Sequence, residues 1–338
     1  MLHIKKNKVY FIAEVGSNHS GNFQNCLKAI DSAKKSGADC IKFQLYDERT
    51  IVHPKLKTLK YIKNNNFTYQ RDRFKFLKLN LEKIFKIKEY CKKRKLDLCV
   101  TPFDHRLVKK LSKYIDFFKV ASGDINYIPL LKEIKKTGKK CIISTGMSTY
   151  KNIDYALKIL GKSNTYILHC IASYPTKFED CNLQNIKELK KKYKIPVGFS
   201  DHTMGIEAAS NSVFFGAQII EKHYLPTERV RRVADYSLSI KPTELKKLIK
   251  NVNFNLKMIG KKKNTILKSE KYFSVNLKRS LYYTCNLRKG SILSDKHINF
   301  LRPFNLKGEI LENYEKVIGK KIKKSVKKNE LICSKYLM

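Results

Sequence analysis

Short apolar runs alternate with amphipathic stretches along the first 260 residues of the chain. Eight of the runs have the length and composition of buried strands, and the stretches between them carry apolar residues at helical spacing. The predicted strands cover residues 10–16, 40–45, 96–101, 117–121, 141–145, 166–171, 197–200 and 218–222. The predicted helices cover residues 23–36, 81–93, 128–136, 151–160, 183–191, 205–215 and 243–259. This alternation predicts a parallel sheet, and eight units favour a closed (β/α)8 TIM barrel.

The pattern changes after Gly260. A lysine-rich, weakly periodic stretch predicts a linker over residues 261–278, and residues 279–338 show short apolar runs separated by turn signals. The predicted domains are therefore a barrel over 1–260, the linker, and a small module over 279–338. A module of about 60 residues has marginal stability on its own, so we expect it to pack against the barrel or against a second chain. The segment 47–80 is an unusually long insertion that predicts a lid or substrate loop.

The charge of the chain is strongly positive. The net charge is +42, from 71 basic and 29 acidic residues, but the basic residues are mostly lysines spread along the whole sequence. A nucleic-acid-binding protein usually concentrates arginines on one face, so we do not expect a nucleic-acid partner. A basic nucleic-acid-binding protein built on a barrel scaffold remains the alternative to an enzyme. The sequence has no apolar run of the ~18–20 residues that a membrane helix needs, and its nine cysteines form no CxxC pair, which predicts a reduced, cytoplasmic protein.

Polar and ionisable side chains recur at the C-terminal ends of all eight predicted strands. That end of a parallel barrel is where active sites are built. Any single cluster could be a helix cap, but eight together predict an enzyme. The clusters lie at 14–19, 42–44, 101–104, 119–124, 144–147, 169–175, 200–203 and 221–223. No GxGxxG motif or P-loop follows any of these strands, which counts against a nucleotide-binding sheet.

Two histidines at strand ends are candidate metal ligands. His202 ends the seventh strand and His223 the eighth, so the barrel makes them neighbours. Two imidazoles with open remaining positions suit a catalytic divalent ion such as Mn²⁺, Zn²⁺ or Fe²⁺. The alternative is that one histidine is a hydrogen-bonded core residue and the other caps a loop.

Two lysines lie inside apolar strands, where an unpaired ammonium is costly. With hydroxyl groups at neighbouring strand ends, Lys42 and Lys119 would form a cage for a phosphate or a carboxylate. The hydroxyl groups are those of Thr101, Ser122, Ser144 and Ser200. A buried lysine could instead form a Schiff base, so a lysine-dependent aldolase is an open alternative. Glu14, Asp124 and Asp235 are candidate acid/base or hydroxyl-orienting carboxylates, although the two aspartates could be loop caps.

These strand ends resemble, in order, the motifs of the sialic acid (N-acetylneuraminate) synthase family. The module over 279–338 resembles that family's antifreeze-like (SAF, β-clip) domain. The matching segments are 12–19, 42–44, 101–103, 119–124, 168–170, 174–176, 198–203, 221–223, 288–290, 301–303 and 318–321. The resemblance covers nearly the whole chain. It implies a condensation of phosphoenolpyruvate with an N-acylated hexosamine, either N-acetylmannosamine or a 2,4-diacetamido-6-deoxyhexose, to give a nonulosonic acid plus phosphate.

The resemblance also implies residue roles. Phosphoenolpyruvate would be held by groups matching Lys42, Thr101, Lys119, Ser122, Ser144 and Ser200. Manganese or magnesium would be bound by His202 and His223 and would activate the sugar aldehyde. The sugar would be contacted by Glu14, Tyr174 and Asp235, and by Arg302 from the other subunit of a domain-swapped homodimer. For moving protons, Glu14 is the first choice and Asp124 the second.

The chain departs from the family pattern at several places. Asp124 stands where the family often has glutamate, and Ala172 where it often has asparagine. The segments 229–235 and 302–308 lack the turns that are usual there. The last two changes fall on the sugar side of the expected site, so they leave the acceptor sugar open.

Overall fold

The computed structural model describes residues 4, 8–59, 62, 66–226, 233–261, 264–305, 307–309 and 313–338. The chain divides into two compact units, Met1–Gly260 and Lys261–Met338. Residues 229–232 and residue 306, which belong to the two segments that depart from the family pattern, lie outside the described residues.

The first unit is a closed barrel of eight parallel strands, which confirms the predicted fold class. Each strand pairs with the next in the sequence, and the pairing of the first strand with the eighth closes the ring. The strands are β1 (Tyr10–Glu14), β2 (Cys40–Leu45), β3 (Asp97–Pro102), β4 (Phe117–Val120), β5 (Cys141–Ser144), β6 (Thr165–Cys170), β7 (Val197–Asp201) and β8 (Ile219–His223). Their ends differ from the predicted ones by at most two residues.

Helices follow the strands of the first unit. They are α1 (Phe23–Ser36), α2 (Glu48–Ile51), α3 (Gln70–Leu77), α4 (Leu81–Arg94), α5 (Val108–Leu111), α6 (Ile128–Lys136), α7 (Tyr150–Leu160), α8 (Gln184–Tyr193), α9 (Glu207–Asn211) and α10 (Pro242–Ile259). Helix α1 shows why they begin and end as they do. The Asn22 side chain accepts hydrogen bonds from the first backbone N–H groups, and Gly37 ends the helix at φ 97°, a left-handed conformation that glycine adopts without strain.

The predicted helix over 205–215 was too long. The structure has the short helix α9 followed by a 3-10 turn, Ser212–Phe215. The hydroxyl groups of Ser210 and Ser212 donate to the carbonyl oxygens of Glu207 and Ala209, and such side-chain bonds compete with regular helical geometry. The segment between β2 and α4, predicted as one insertion, contains α2 and α3.

The inside of the barrel is built in layers. An apolar layer consists of Tyr10, Ile12, Cys40, Cys99, Phe117, Ile142, Leu168 and Ile219. Since side chains on a strand point to the same face at every second residue, the next inward position of each strand lies nearer its C-terminal end. Those positions carry Glu14, Lys42, Thr101, Lys119, Ser144, Cys170, Ser200 and Glu221. In β7 the apolar layer is completed by Gly198, where a Cβ would collide with the carbonyl oxygen of Ile219.

A larger apolar cluster fills the space between the barrel wall and the helices. Its members include Phe43 and Ile41 of β2, which point away from the barrel axis, while Lys42 between them points inward. Lysines and arginines lie in the last turns of several helices, including α1, α4, α6 and α8, where they complement the negative end of the helix dipole.

The second unit has its own small core. Its two antiparallel strands are β9 (Ser280–Tyr283) and β10 (Ile298–Leu301), and its helices are α11 (Lys271–Asn276) and α12 (Tyr314–Val317). Its buried cluster contains Leu281, Tyr283, Leu293, Ile298, Val317, Ile322, Val326 and Ile332. In the part of the chain that the structure describes, we find no helix that combines the length and apolarity needed to cross a membrane.

Candidate active site

A cavity of about 260 Å³ opens at the C-terminal ends of the barrel strands. It collects nearly all the candidate site residues of the sequence analysis. Those that line it are Glu14, Lys42, Thr101, Lys119, Ser122, Ser144, Tyr174, Ser200, His202, His223 and Asp235. Two candidates do not line it. Asp124 lies on the 3-10 turn Ser122–Asp124, and Arg302 is an exposed residue of the second unit.

Two buried ammonium groups and two buried carboxylates form the floor of the cavity. The Lys42 Nζ lies 2.8 Å from Glu14 Oε2 and 3.7 Å from Glu221 Oε1. The Lys119 Nζ lies 3.5 Å from the same Glu221 oxygen, to which Ser200 Oγ donates a hydrogen bond of 3.0 Å. Glu221 was not a candidate site residue, although it belongs to a quoted motif. Its position inside strand β8, two residues before His223, was the signal that could have found it.

The two carboxylates differ in their affinity for a proton. Burial raises the pKa of the Glu14 carboxyl, and the ammonium of Lys42 offsets this only in part. Burial would also raise the pKa of Glu221, but Lys119, Lys42 and the Ser200 hydroxyl outweigh it and lower that pKa to about 2. Glu221 is therefore a permanent anion, and Glu14 is the group of the pair that can hold a proton. Burial would lower the pKa of Lys42, but the two carboxylates together raise it, so this lysine stays an ammonium.

Hydroxyl groups line the wall beside the lysines. Thr101 Oγ1 is 3.5 Å from the Lys42 Nζ, and Ser122 Oγ accepts a 3.0 Å hydrogen bond from the Gly146 N–H. The Ser144 hydroxyl is buried and has no hydrogen-bond partner among the described residues. A buried hydroxyl facing a cavity without a partner is available to a ligand.

The two histidines lie side by side, with ring centroids 5.4 Å apart. His202 Nδ1 is 2.9 Å from the carbonyl oxygen of Ile171, which can only accept, so Nδ1 donates this hydrogen bond and Nε2 is the ring nitrogen left for a metal. Burial lowers the pKa of His223, which keeps this imidazole neutral, and its buried Nδ1 has no hydrogen-bond partner within the described ranges. Neutral imidazoles with free lone pairs are the form that binds divalent metals.

The two histidines therefore fit a divalent cation. Asp235 Oδ2 lies 4.0 Å from His223 Nδ1. However, no group of three or more His, Cys, Asp or Glu side chains in the described part of the chain is arranged to hold a metal ion. A cation held by the two histidines would need further ligands from substrate or water.

Asp235 is an ionised group beside His223 in the cavity. It accepts hydrogen bonds from the Ser17 N–H at 3.1 Å and the Ser17 Oγ at 2.7 Å. Burial would raise the pKa of this carboxyl, but His223, the Ser17 hydrogen bonds and the charge of Arg73 together lower it. The Tyr174 ring packs 4.3 Å from the His202 ring, between centroids.

Asp124 is set apart from these groups. Burial raises the pKa of its carboxyl to about 6, and its Oδ2 has no hydrogen-bond partner among the described residues. The segment between β2 and α4, predicted to be a lid or substrate loop, supplies Ile51, Arg73, Phe74 and Leu77 to the cavity wall. No periodic signal in the sequence distinguished Arg73 from the other basic residues of that segment.

A closed parallel barrel with an ionisable cavity at the C-terminal ends of its strands places this chain in the class of barrel enzymes. The NeuB family model matches residues 29–264, and the SAF domain model matches residues 278–333. The chain belongs to the NeuB family. The resemblance found in the sequence and the predicted SAF module are thereby confirmed.

Several relatives are similar over nearly the whole chain. An uncharacterized protein of Methanocaldococcus jannaschii is 38% identical, over 97% of this chain and 94% of its own. The N,N'-diacetyllegionaminic acid synthase of Campylobacter jejuni is 34% identical, over 96% of this chain and 99% of its own. The crystal structure of N-acetylneuraminic acid synthetase from Leptospira borgpetersenii has a TM-score of 0.70 and 32% identity, and covers 80% of this chain and 92% of that one.

Proposed function

We propose that this protein is a nonulosonic acid synthase that condenses phosphoenolpyruvate with an N-acylated hexosamine and releases phosphate. The observation that carries the proposal is the convergence in one cavity of two buried lysines, four hydroxyl groups and two neighbouring imidazoles. The similarity to synthases of legionaminic and N-acetylneuraminic acid supports the same product class.

Phosphoenolpyruvate carries a phosphate and a carboxylate, and the proposed cage offers donors to both. The cage residues are Lys42, Thr101, Lys119, Ser122, Ser144 and Ser200. Glu221 has a supporting role: one of its carboxylate oxygens lies within 3.7 Å of the Nζ atoms of both lysines and so holds them in place. Because the ammonium groups are fixed before substrate binds, they stabilise the leaving phosphate without reorganisation.

His202 and His223 are the residues that would hold a manganese or magnesium ion. A divalent cation there would supply Lewis-acid polarisation of the open-chain sugar aldehyde. The acceptor would lie against the wall that Tyr174 and Asp235 form beside the histidines, where Tyr174 packs on His202 and Asp235 lies next to His223. We propose that Arg302 reaches this wall from a second copy of the chain in a domain-swapped dimer. Its exposed side chain is compatible with that role.

The bond changes follow from the two substrates. C3 of phosphoenolpyruvate attacks the aldehyde carbon, forming the new C–C bond and leaving positive character at C2. Water adds to C2 and loses a proton, which gives a tetrahedral carbon that bears a hydroxyl and the phosphate. The C2–O bond to phosphate then breaks, and the hydroxyl becomes the ketone.

Glu14 is the proposed proton carrier. Its Oε1 accepts a 3.0 Å hydrogen bond from Gln44 Nε2, which fixes the carboxyl at the edge of the cage, and burial has raised its pKa. A carboxyl of this kind can give a proton to the aldehyde oxygen and accept one from the attacking water. Asp124 is the second candidate, acting from outside the cavity lining.

The alternative functions are less well supported. A Schiff-base aldolase needs a lysine whose pKa is lowered, whereas the carboxylates beside Lys42 raise the pKa of that group. A nucleic-acid-binding role would appear as salt-sensitive retention of DNA without turnover of phosphoenolpyruvate.

The test is phosphate release by the purified protein with phosphoenolpyruvate, Mn²⁺ and a panel of N-acylated hexosamines. Phosphoenolpyruvate labelled with ¹⁸O at the bridging oxygen gives labelled phosphate if the C–O bond breaks. We expect phosphate release that depends on a hexosamine, a product heavier than the sugar by one pyruvate unit, and labelled phosphate. Unlabelled phosphate would contradict the bond assignment, and release of no phosphate with any acceptor would contradict the proposed function.

A further inference from the structure

Arg73 is a buried cation of the cavity that the proposed chemistry does not use. It lies on helix α3, in the segment between β2 and α4, and is only 7% exposed. Its side chain lines the cavity together with Phe74 and Leu77 of the same helix. It therefore comes from the wall above the strand ends and not from the cage itself.

The surroundings of Arg73 differ from those of the two cage lysines. Lys42 and Lys119 each have a carboxylate oxygen within 4 Å. For Arg73, within the described ranges of the chain, the structure shows no ion pair. Its polar contact there is a 3.5 Å hydrogen bond from a guanidinium nitrogen to Gln70 Oε1, and its guanidinium carbon is 5.6 Å from the centre of the Phe74 ring.

A guanidinium that is removed from water without a close anion is costly. An anionic ligand that binds beside such a guanidinium removes this cost by forming the missing ion pair. The planar guanidinium can donate two parallel hydrogen bonds to the oxygens of a phosphate or a carboxylate. In the proposed cage, Lys42 and Lys119 already provide the cations for the phosphate of phosphoenolpyruvate. Arg73 lies instead on the sugar side: Leu77 of the same helix packs with Leu225 and Val233, and Val233 is two residues from Asp235 of the proposed acceptor wall.

We propose that Arg73 selects an acceptor sugar that carries an anionic group, a phosphate monoester or a carboxylate, at the end remote from the aldehyde. This inference rests on the proposed function and refines it by naming the class of acceptor. It makes Arg73 a specificity-determining residue, because an uncharged acceptor leaves the guanidinium without an anion.

The test compares four acceptors with wild-type protein and with Arg73→Met. The acceptors are N-acetylmannosamine, its 6-phosphate, the corresponding 6-carboxylate (N-acetylmannosaminuronate) and a 2,4-diacetamido-6-deoxyhexose. We expect kcat/KM of the wild type for one of the anionic sugars to exceed that for the uncharged sugars by about 10- to 100-fold, as for a hydrogen bond between charged groups. Arg73→Met should lose this preference while KM for phosphoenolpyruvate stays unchanged. The 6-phosphate and the 6-carboxylate distinguish the two sources of negative charge.

Two further variants separate recognition from structure. Lys75 is an exposed cation on the same helix, so Lys75→Met should keep the wild-type preference. Arg73→Lys keeps the charge but loses the fork, and should retain part of the preference. A wild type that uses uncharged sugars as well as anionic ones would overturn the proposal. So would an Arg73→Met variant that loses activity equally with all four acceptors.

Binding measurements keep this test independent of turnover. Calorimetry with N-acetylmannosamine 6-phosphate, the uronate and N-acetylmannosamine reports the affinity of each sugar for wild type and Arg73→Met. If no acceptor gives phosphate, the proposed function fails, but a tighter binding of an anionic sugar that depends on Arg73 still supports this inference. Equal affinities for charged and uncharged sugars would refute it even in an active enzyme.

Discussion

Replacing Lys119 by methionine removes one of the two buried ammonium groups and keeps a side chain of similar length. The Lys119 Nζ lies 3.5 Å from Glu221 Oε1, and the Lys42 Nζ lies 3.7 Å from the same oxygen. In the variant, Glu221 keeps only Lys42 and the hydrogen bond from Ser200. The proposed cage therefore loses a donor that would contact phosphoenolpyruvate, and it becomes more negative.

The magnitude follows from the lost interaction. A hydrogen bond to a charged group contributes about 1.5–3 kcal/mol, and each 1.4 kcal/mol is a factor of ten. We expect Lys119→Met to raise KM for phosphoenolpyruvate by roughly 10- to 150-fold. The change in KM for the sugar should be much smaller, because Lys119 belongs to the cage and not to the wall formed by Asp235 and Tyr174.

The assay is steady-state phosphate release, with each substrate varied in turn while the other is saturating. Lys110→Met is the matched control, since Lys110 is an exposed lysine on the outer helix α5 and should leave both KM values unchanged. The double variant of Lys119→Met with Glu221→Gln should be less impaired than the two single effects combined, because it removes the cation and the anion together. An increase in the sugar KM without one for phosphoenolpyruvate would refute the assignment of the cage.

Three other predictions test separate parts of the site. His202→Ala and His223→Ala should each abolish Mn²⁺-stimulated phosphate release and weaken Mn²⁺ binding seen by electron paramagnetic resonance; full activity after treatment with a chelator would contradict a metal role. Because burial raises the pKa of Asp124 from 3.8 to about 6, the folded protein loses stability as pH rises through that range. Asp124→Asn should therefore be more stable than wild type above pH 6, by up to roughly 3 kcal/mol in chemical unfolding, and a constant difference at all pH values would refute this. Coexpressed Arg302→Ala and Glu14→Gln chains should regain about a quarter of the wild-type activity through hybrid dimers; no recovery would argue against an arginine supplied by the partner.

Much of the barrel could be predicted because its signals are local. Apolar runs and helical spacing located all eight strands, and the residues at their C-terminal ends indicated where the site lies. The alternation of side chains along β2 and β3 makes Lys42 and Thr101 point inward, two residues beyond the apolar layer of Cys40 and Cys99. Boundaries were less certain where side chains compete with the backbone, as in the region of α9.

Contacts between distant strands could not be read from local patterns. In the sequence, nothing distinguishes Glu221 from other polar residues near strand ends. Only the closed barrel places it next to the lysines of β2 and β4. Arg73 lies in a segment without periodicity, and only the folded chain shows that its guanidinium faces the cavity.

The sequence by itself determined the eight strands of the barrel, the separate module that follows them and the residue types gathered at the strand ends. The tertiary structure decided the ionisation and pairing of these groups. Glu221 is an anion between two lysines, and Glu14 is the carboxyl that can hold a proton. Arg73 has no close counter-ion in the described part of the chain. The physical reason is that strand patterns depend on neighbours in the sequence, whereas burial and charge depend on residues that only closure of the barrel brings together.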